Sequence, residues 1–185
     1  MGSSPTLSSK TIFSKVDVIM GTRARRIVTC DIAKLLVLLN TALASEYQAW
    51  YQYIVCKGLV HGITASSARE EFADHAQAEL GHAEKVFFRI LELGGRPALT
   101  PSVWTTQHDE IPIEETDVAS LLRITLDGER DAIGVYTKIA AFTEGKDFIT
   151  NSLVEDICAD EAEHEQDLEQ LLQDLQEFNA LQSGK

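Results

Sequence analysis

Four long stretches of the chain repeat apolar residues every three or four positions, which is the spacing of one face of an α-helix. Glycines and helix-capping residues separate these stretches, and the spacing of Ser67 and Glu70 matches a capping box at the start of the second. The predicted helices span about 31–61, 66–94, 116–145 and 147–178. Each is therefore roughly 45 Å long at about 1.5 Å per residue.

The lengths of the connections predict how these helices are arranged. Helices one and two, and helices three and four, are joined by only a few residues, so each pair forms an antiparallel hairpin. The segment 94–116 holds three prolines and has no helical period. At about 3.3 Å per residue it is long enough to run the full length of a bundle. We therefore predict an all-α four-helix bundle with one long crossover between helices two and three. An up-down-up-down bundle with a loose loop is the alternative.

Three regions differ in composition. Residues 1–30 form a basic, Ser/Thr-rich extension with a short helix predicted at about 11–20, residues 31–179 form the bundle, and residues 180–185 form a short tail. The net charge is −13, and residues 1–35 carry six basic and two acidic side chains, so the remainder carries −17. This acidic charge excludes a nucleic-acid groove on the bundle.

The basic extension has three candidate roles. We favour packing on the exterior of the protein. Binding of DNA phosphates and cleavage as an organellar transit peptide are the alternatives. No apolar run approaches the roughly 20 residues of a membrane span, so we expect no membrane partner. Three widely spaced cysteines without a CxxC motif favour a reducing compartment, and we predict a cytoplasmic protein.

One glutamate in each predicted helix lies on the apolar face. Glu161, for example, has Val154, Ile157 and Leu168 at the spacings that share a helix face with it. The same pattern occurs for the other three, so that the set is Glu46, Glu79, Glu129 and Glu161. We therefore predict that one glutamate of every helix faces the interior of the bundle.

The spacing of these glutamates repeats. Helices one and three read E-x6-Y, and helices two and four read E-x-x-H. The pairs are Glu46 with Tyr53, Glu79 with His82, Glu129 with Tyr136, and Glu161 with His164. A single E-x-x-H in a Glu-rich helix indicates little, but two matched hairpins form an internal two-fold repeat.

Four ionised carboxylates inside an apolar bundle would repel one another, and burying each costs several kcal/mol. Two divalent cations would neutralise them, and oxygen ligands with one imidazole each suit iron or manganese. We expect Glu79 and Glu161 to bridge the two metals, with Glu46 and Glu129 each binding one. A hydrogen-bonded structural network without metal is the alternative, at the cost of buried carboxyls sharing protons.

On these residues, the chain from 31 to 178 resembles the ferritin-like superfamily, and within it bacterioferritin and the bacterioferritin-like branch of the Dps-like mini-ferritins. The resemblance rests on Glu46, Tyr53, Glu79, His82, Glu129, Glu161 and His164. It implies a ferroxidase that binds two Fe ions per subunit, with Mn as an alternative, and oxidises Fe(II) with dioxygen or hydrogen peroxide. It also implies mineral storage in a homo-oligomeric cage. Tyr53 would lie beside the metals and supply a hydrogen bond or an electron.

Two departures from bacterioferritin change what the resemblance implies. Leu80 stands where bacterioferritin has its haem-binding methionine, so no haem is expected. The chain ends shortly after helix four, which favours a 12-subunit shell over a 24-subunit one.

The rival function is a di-iron or di-manganese oxidoreductase, such as a peroxidase, catalase or oxygenase, that stores no mineral.

Several further residues have structural interpretations. We expect His75 to form a hydrogen bond near the site or to face solvent, with a transit ligand as the alternative, and Tyr136 to pack in the core. Cys158 is interpreted as an inert thiol. Helix one is apolar nearly all round, which predicts that it packs against a second copy of the chain.

Overall fold

A computed structural model describes residues 23–98 and 115–184. The helix predicted at about 11–20, the rest of the extension before residue 23 and the middle of the crossover lie outside this part of the chain. Within it, no helix is long and apolar enough to cross a membrane. A short helix that the sequence did not predict, α1 (Ala24–Ile27), precedes the bundle.

The four predicted long helices are confirmed. They are α2 (Ile32–Leu59), α3 (Ala65–Glu92), α4 (Val118–Thr143) and α5 (Phe148–Ser183). Three of them begin at an aspartate whose side chain accepts hydrogen bonds from backbone N–H groups of the first turn: Asp31, Asp117 and Asp147. Gly94 and Gly145, with φ of 75° and 66°, end α3 and α4 in a conformation that favours glycine.

A predicted helix cap and a predicted helix end were wrong. The Ser67–Glu70 capping box does not start α3; that helix begins at Ala65, whose N–H bonds the carbonyl of Gly62 at 3.2 Å. Helix α5 continues to Ser183, about five residues past its predicted end. The residues from 179 to 183 contain no glycine or proline, so nothing stops the helix before Gly184.

Contacts at the two ends of the bundle establish the long crossover. Lys146, just after α4, accepts a hydrogen bond from the N–H of Thr29, just before α2, at 2.9 Å. At the other end, His61 after α2 pairs with Asp117 before α4. Helices α2 and α4 are therefore antiparallel. Since Ala98, after α3, bonds the side chain of Asn40 near the start of α2, α3 ends at the end of the bundle opposite to the one where α4 begins.

The core consists of two apolar clusters with a band of polar side chains between them. One cluster includes Leu35, Leu39, Val86, Ile139 and Ile157. The other includes Cys56, Phe72, Leu121, Leu122 and Leu168. The four glutamates and two histidines that were predicted to face inward lie in this band. The candidate site is therefore halfway along the bundle.

Candidate metal centre

All four predicted glutamates and both histidines are buried at the middle of the bundle. The exposed fractions are 1% for Glu46, 1% for Glu79, 3% for Glu129, 0% for Glu161, 2% for His82 and 8% for His164. Each long helix contributes at least one of them, because the E-x6-Y and E-x-x-H spacings keep these positions on the inward stripe. Fully buried carboxylates are rare unless they are paired or bind metal.

The first group of ligand atoms surrounds the Nδ1 atom of His82. Glu161 Oε1 lies 3.1 Å from this nitrogen, and Glu46 Oε2 and Glu79 Oε2 each lie 3.5 Å from it. These four residues each offer one ligand atom within 4.8 Å of the others. They define the first position at which a cation could be held.

The second group surrounds the Nδ1 atom of His164. Glu79 Oε1 and Glu161 Oε2 lie 3.3 Å from this nitrogen, and Glu129 Oε2 lies 3.7 Å from it. The two imidazole rings are nearly parallel, with centroids 6.0 Å apart. The site therefore has two adjacent positions that are related by the internal repeat of the sequence.

Glu79 and Glu161 belong to both groups, and each divides its two oxygens between them. One oxygen of each carboxylate faces His82 and the other faces His164. Glu46 contacts only the first position and Glu129 only the second. This geometry suits two shared and two terminal carboxylates.

The donor atoms themselves indicate that the site fits metal ions. Buried atoms without a hydrogen-bond partner include Glu46 Oε2, Glu79 Oε1, both oxygens of Glu161, and Nδ1 of His82 and of His164. Leaving one such atom unsatisfied costs about 1–3 kcal/mol, and more for a charged group. Two cations between these atoms would satisfy all six, since oxygen with imidazole nitrogen is a ligand set for divalent iron or manganese.

Two tyrosines hold the terminal glutamates from opposite hairpins. Tyr136 on α4 donates its hydroxyl proton to Glu46 Oε1 on α2 at 2.5 Å. Tyr53 on α2 donates in the same way to Glu129 Oε1 on α4. Each terminal carboxylate thus uses Oε1 for a tyrosine and keeps Oε2 for the centre. The core-packing interpretation of Tyr136 was incomplete, because its hydroxyl has the same task as that of Tyr53.

The sequence did not single out Asp160. Its Oδ2 lies 3.1 Å from Nε2 of His82, on the side of the ring away from the centre. A hydrogen bond there fixes the ring so that Nδ1 faces the glutamates. The signal available in the sequence was only that Asp160 directly precedes Glu161, which is weak because that helix is rich in acidic residues.

The ligand residues divide into protonated and ionised groups in the metal-free chain. Burial opposes charge on the imidazoles, but the surrounding carboxylates raise the pKa of His82 and of His164 to about 12. Burial raises the pKa of Glu46 well above its usual range and that of Glu129 to about 8. Burial would also raise the pKa of Glu79, but the two imidazoles outweigh it and lower the value to about 2.

His75 has the predicted hydrogen bond near the site, and the alternative that it faces solvent is wrong. His75 is buried, its Nδ1 lies 3.1 Å from the hydroxyl of Tyr53, and a ligand atom of His75 lies within 4.8 Å of those of Glu129 and His164. All three cysteines are free. Burial raises the pKa of the Cys56 thiol to about 12, which makes it unreactive. Cys158 is half-buried, with its sulfur 4.0 Å from the hydroxyl of Thr137.

Comparison with known proteins gives consistent matches. The ferritin-like domain family matches residues 36–178. The chain is 34% identical over 145 residues to a DNA protection during starvation protein of Pyrococcus furiosus, covering 77% of this chain and 78% of that one. It is 31% identical over 133 residues to bacterioferritin of Rhodobacter capsulatus, covering 71% and 78%.

A solved structure matches over nearly its full length. It is a dodecameric thioferritin, the bacterioferritin-related protein of Bacteroides fragilis, with a TM-score of 0.82 and 36% identity. The match covers 86% of this chain and 98% of that one. The family match spans most of the chain and includes all six residues of the two groups. The chain is therefore a member of the ferritin-like family, related to both the Dps proteins and bacterioferritin.

Proposed function

We propose that each chain oxidises Fe(II) at a paired metal site and that a homo-oligomeric shell of these chains stores the ferric product. The observation that carries this proposal is the division of the oxygens of Glu79 and Glu161 between the two histidines. A hydrogen-bonded structural network would have no reason to leave three of these four oxygens without hydrogen-bond partners.

The proposed reaction uses iron as the substrate. Two Fe(II) ions give up one electron each, so with two protons from water a pair can reduce dioxygen to hydrogen peroxide, or hydrogen peroxide to two molecules of water. The two ions become Fe(III) in either case. Holding them side by side lets both electrons reach one oxidant molecule, which a single-ion site does not allow.

The side chains of the site would position the two ions. Glu46, Glu79, His82 and Glu161 would hold one, and Glu79, Glu129, Glu161 and His164 would hold the other. The phenol of Tyr53 bonds Glu129 and so lies beside the second position, where it can supply a hydrogen bond or an electron. Tyr136 has the matching place beside the first position.

The surroundings of the site support this role. Apolar clusters flank it on both sides and keep water away, which strengthens electrostatic binding of cations. The acidic charge of the chain after residue 35 would draw Fe(II) towards the protein.

The proposed shell rests on a second observation. Apolar side chains remain exposed on α2 and α3 of a single chain, among them Tyr51 at 55%, Leu80 at 40% and Phe88 at 53%. A partner copy of the chain would cover them. Since the Bacteroides fragilis relative is described as dodecameric, we favour twelve chains over twenty-four.

Replacement of Glu161 tests the oxidation step. Glu161→Ala removes a carboxylate from both positions at once and should abolish Fe(II) oxidation, followed as the appearance of Fe(III) absorbance in air. Glu163→Ala, at an exposed position on the same helix, is the matched control and should oxidise iron normally. Circular dichroism should show the same helical content in both variants. Undiminished oxidation by folded Glu161→Ala would remove the proposed centre.

A further inference from the structure

A third group of potential ligands lies beside the paired site on its solvent side. His75 is on α3, one turn before Glu79, and only 3% of it is exposed. Its ring stacks on that of His164, with centroids 4.1 Å apart and an interplanar angle of 24°. Glu71 and Asp167 lie beyond this ring, with side chains 29% and 46% exposed. The three residues form a group that is open to solvent at one end.

The hydrogen bonds of Tyr53 determine which nitrogen of a neutral His75 ring carries the proton. The hydroxyl of Tyr53 donates its only proton to Glu129 Oε1. Its oxygen can therefore only accept from Nδ1 of His75, which lies 3.1 Å away. In the neutral ring the proton is on Nδ1, and Nε2 carries the free lone pair.

The neighbours of this lone pair are other acceptors rather than a donor. Glu71 Oε1 lies 3.0 Å from Nε2 and Asp167 Oδ2 lies 3.9 Å from it. Nε2 is buried and has no hydrogen-bond partner. Acceptor atoms that face one another in this way repel unless a cation lies between them.

We propose that Glu71, His75 and Asp167 form a third binding site for a divalent first-row metal ion, separate from the paired site. One ligand atom of each residue lies within 4.8 Å of the others. With bonds of about 2.1 Å, two ligands at neighbouring octahedral positions are about 3.0 Å apart, which is the separation of His75 Nε2 and Glu71 Oε1. Asp167 completes the site by a small side-chain rotation, and water fills the remaining positions.

The location of this site suggests its role. A cation there exchanges with solvent through the exposed carboxylates. The ring of His75, which stacks on that of His164, separates the cation from His164. The cation would therefore load the second position of the paired site. This loading role rests on the proposed function, whereas the existence of the third site does not.

The test counts metal ions with Zn²⁺ as the probe, because Zn²⁺ does not change oxidation state. Unmodified protein should bind three Zn²⁺ per chain, measured by equilibrium dialysis and elemental analysis. Glu71→Gln/Asp167→Asn should bind two. The control Glu70→Gln/Asp174→Asn removes the same charge from exposed positions on the same helices and should still bind three. Anomalous diffraction at the zinc edge should place the third ion of the unmodified protein at Nε2 of His75 and should show no ion there in Glu71→Gln/Asp167→Asn.

The positions of the ions separate the two proposals. Zinc at the paired site but not at His75 in the unmodified protein overturns the third site and leaves the centre standing. Zinc at His75 alone overturns the paired centre and leaves the third site standing. For the loading role, Glu71→Gln/Asp167→Asn should oxidise Fe(II) several-fold more slowly at limiting iron and at the normal rate at saturating iron. Equal rates at limiting iron would overturn that role.

Discussion

At the scale of single residues, the pKa shifts predict a balanced charge for the candidate ligands of the paired site in the metal-free chain at neutral pH. His82 and His164 are protonated, and Glu46 and Glu129 carry protons because burial raises their pKa. Glu79 and Glu161, whose pKa is lowered, are ionised. Two imidazolium and two carboxylate charges cancel. Two divalent cations with four carboxylates cancel as well, so metal exchanges for protons without a net buried charge.

This balance predicts proton release on metal binding. One proton each from His82, His164, Glu46 and Glu129 gives about four protons per chain for two Zn²⁺ at pH 7. Because bound protons compete with the metal, the affinity should rise with pH. Isothermal titration calorimetry in buffers of different ionisation enthalpy measures the number released.

The Glu71→Gln/Asp167→Asn variant suits this measurement, since the third site is removed from it. Glu161→Ala is the control and should lose most of the release together with the binding. Release of fewer than about two protons, or an affinity that does not change with pH, would contradict the charge assignment.

The sequence predicted most of the residues that meet at the centre, but not how they pair. The internal repeat identified Glu46, Glu79, Glu129 and Glu161, because helical spacing alone decides which side chains face inward. It could not show that Tyr136 bonds Glu46, since that contact joins residues 90 positions apart and depends on the antiparallel approach of α2 and α4. The hydrogen bond of Asp160 to His82 likewise depends on how α3 and α5 pack.

At the scale of helices, a buried ion pair joins the end of α3 to the start of α5. Arg89 is 5% exposed and Asp147 is 0% exposed. The Nη2 atom of Arg89 lies 3.0 and 2.9 Å from the two carboxylate oxygens, and its Nε donates to the hydroxyl of Thr150 at 2.7 Å. Asp147 also caps α5 through the N–H of Thr150. The carboxylate of Asp147 therefore caps the start of α5 and also joins α5 to α3 through Arg89.

Asp147→Asn should destabilise the protein strongly, because it removes the buried counter-charge of the Arg89 guanidinium and leaves only the exposed carboxylate of Glu92 beside it. Removing one partner of a buried pair costs about 3–5 kcal/mol. At about 2–4 °C per kcal/mol for a chain of this size, the thermal unfolding midpoint should fall by about 10 °C. Differential scanning calorimetry measures the change.

Glu92→Gln is the matched control, since Glu92 pairs with the same arginine but its side chain is 61% exposed. An exposed pair contributes about 0–1 kcal/mol, so this change should shift the midpoint by only a few degrees. Similar midpoints for the two variants would show that the buried pair is not what holds α3 against α5.

One half of the Arg89–Asp147 pair could have been predicted from the sequence, although the prediction considered only the inward-facing glutamates. Arg89 follows Glu79, His82 and Val86 on the same stripe of α3, so its burial could have been expected. The pairing of Arg89 with Asp147 could not have been expected, because Asp147 looks in the sequence like an ordinary N-cap residue.

The helices and their order were predictable because glycines, caps and connection lengths are local features. The capping box at Ser67 failed because a turn at Gly62 started α3 earlier.

At the scale of the whole molecule, we predict a shell that is held partly by one apolar face. Tyr47 on α2 and Leu80, Phe87 and Phe88 on α3 line a shallow recess, and Tyr51 continues it one turn along α2. Twelve chains of 20.4 kDa would form a shell of about 245 kDa. Leu80→Glu/Phe88→Glu should break it, because like charges would meet in a symmetric, desolvated interface.

Light scattering after size-exclusion chromatography should then give the mass of one or two chains, about 20–41 kDa. Leu181→Glu is the control: Leu181 is 74% exposed near the end of α5, away from the recess, and its replacement should leave the shell intact. An unmodified protein that is monomeric at micromolar concentration would contradict the shell itself.

The dissociated variant also separates oxidation from storage. All six proposed ligands of the paired site belong to one chain, so the variant should oxidise Fe(II) at close to the normal initial rate. Without an enclosed space, the ferric product should precipitate, and the protein should leave the sizing column with at most about three iron atoms per chain, at the paired site and the third site, rather than many. Loss of oxidation together with the shell would mean that a neighbouring chain supports the centre. A shell that takes up no more than three ions per chain would instead favour an oxidoreductase that stores no mineral.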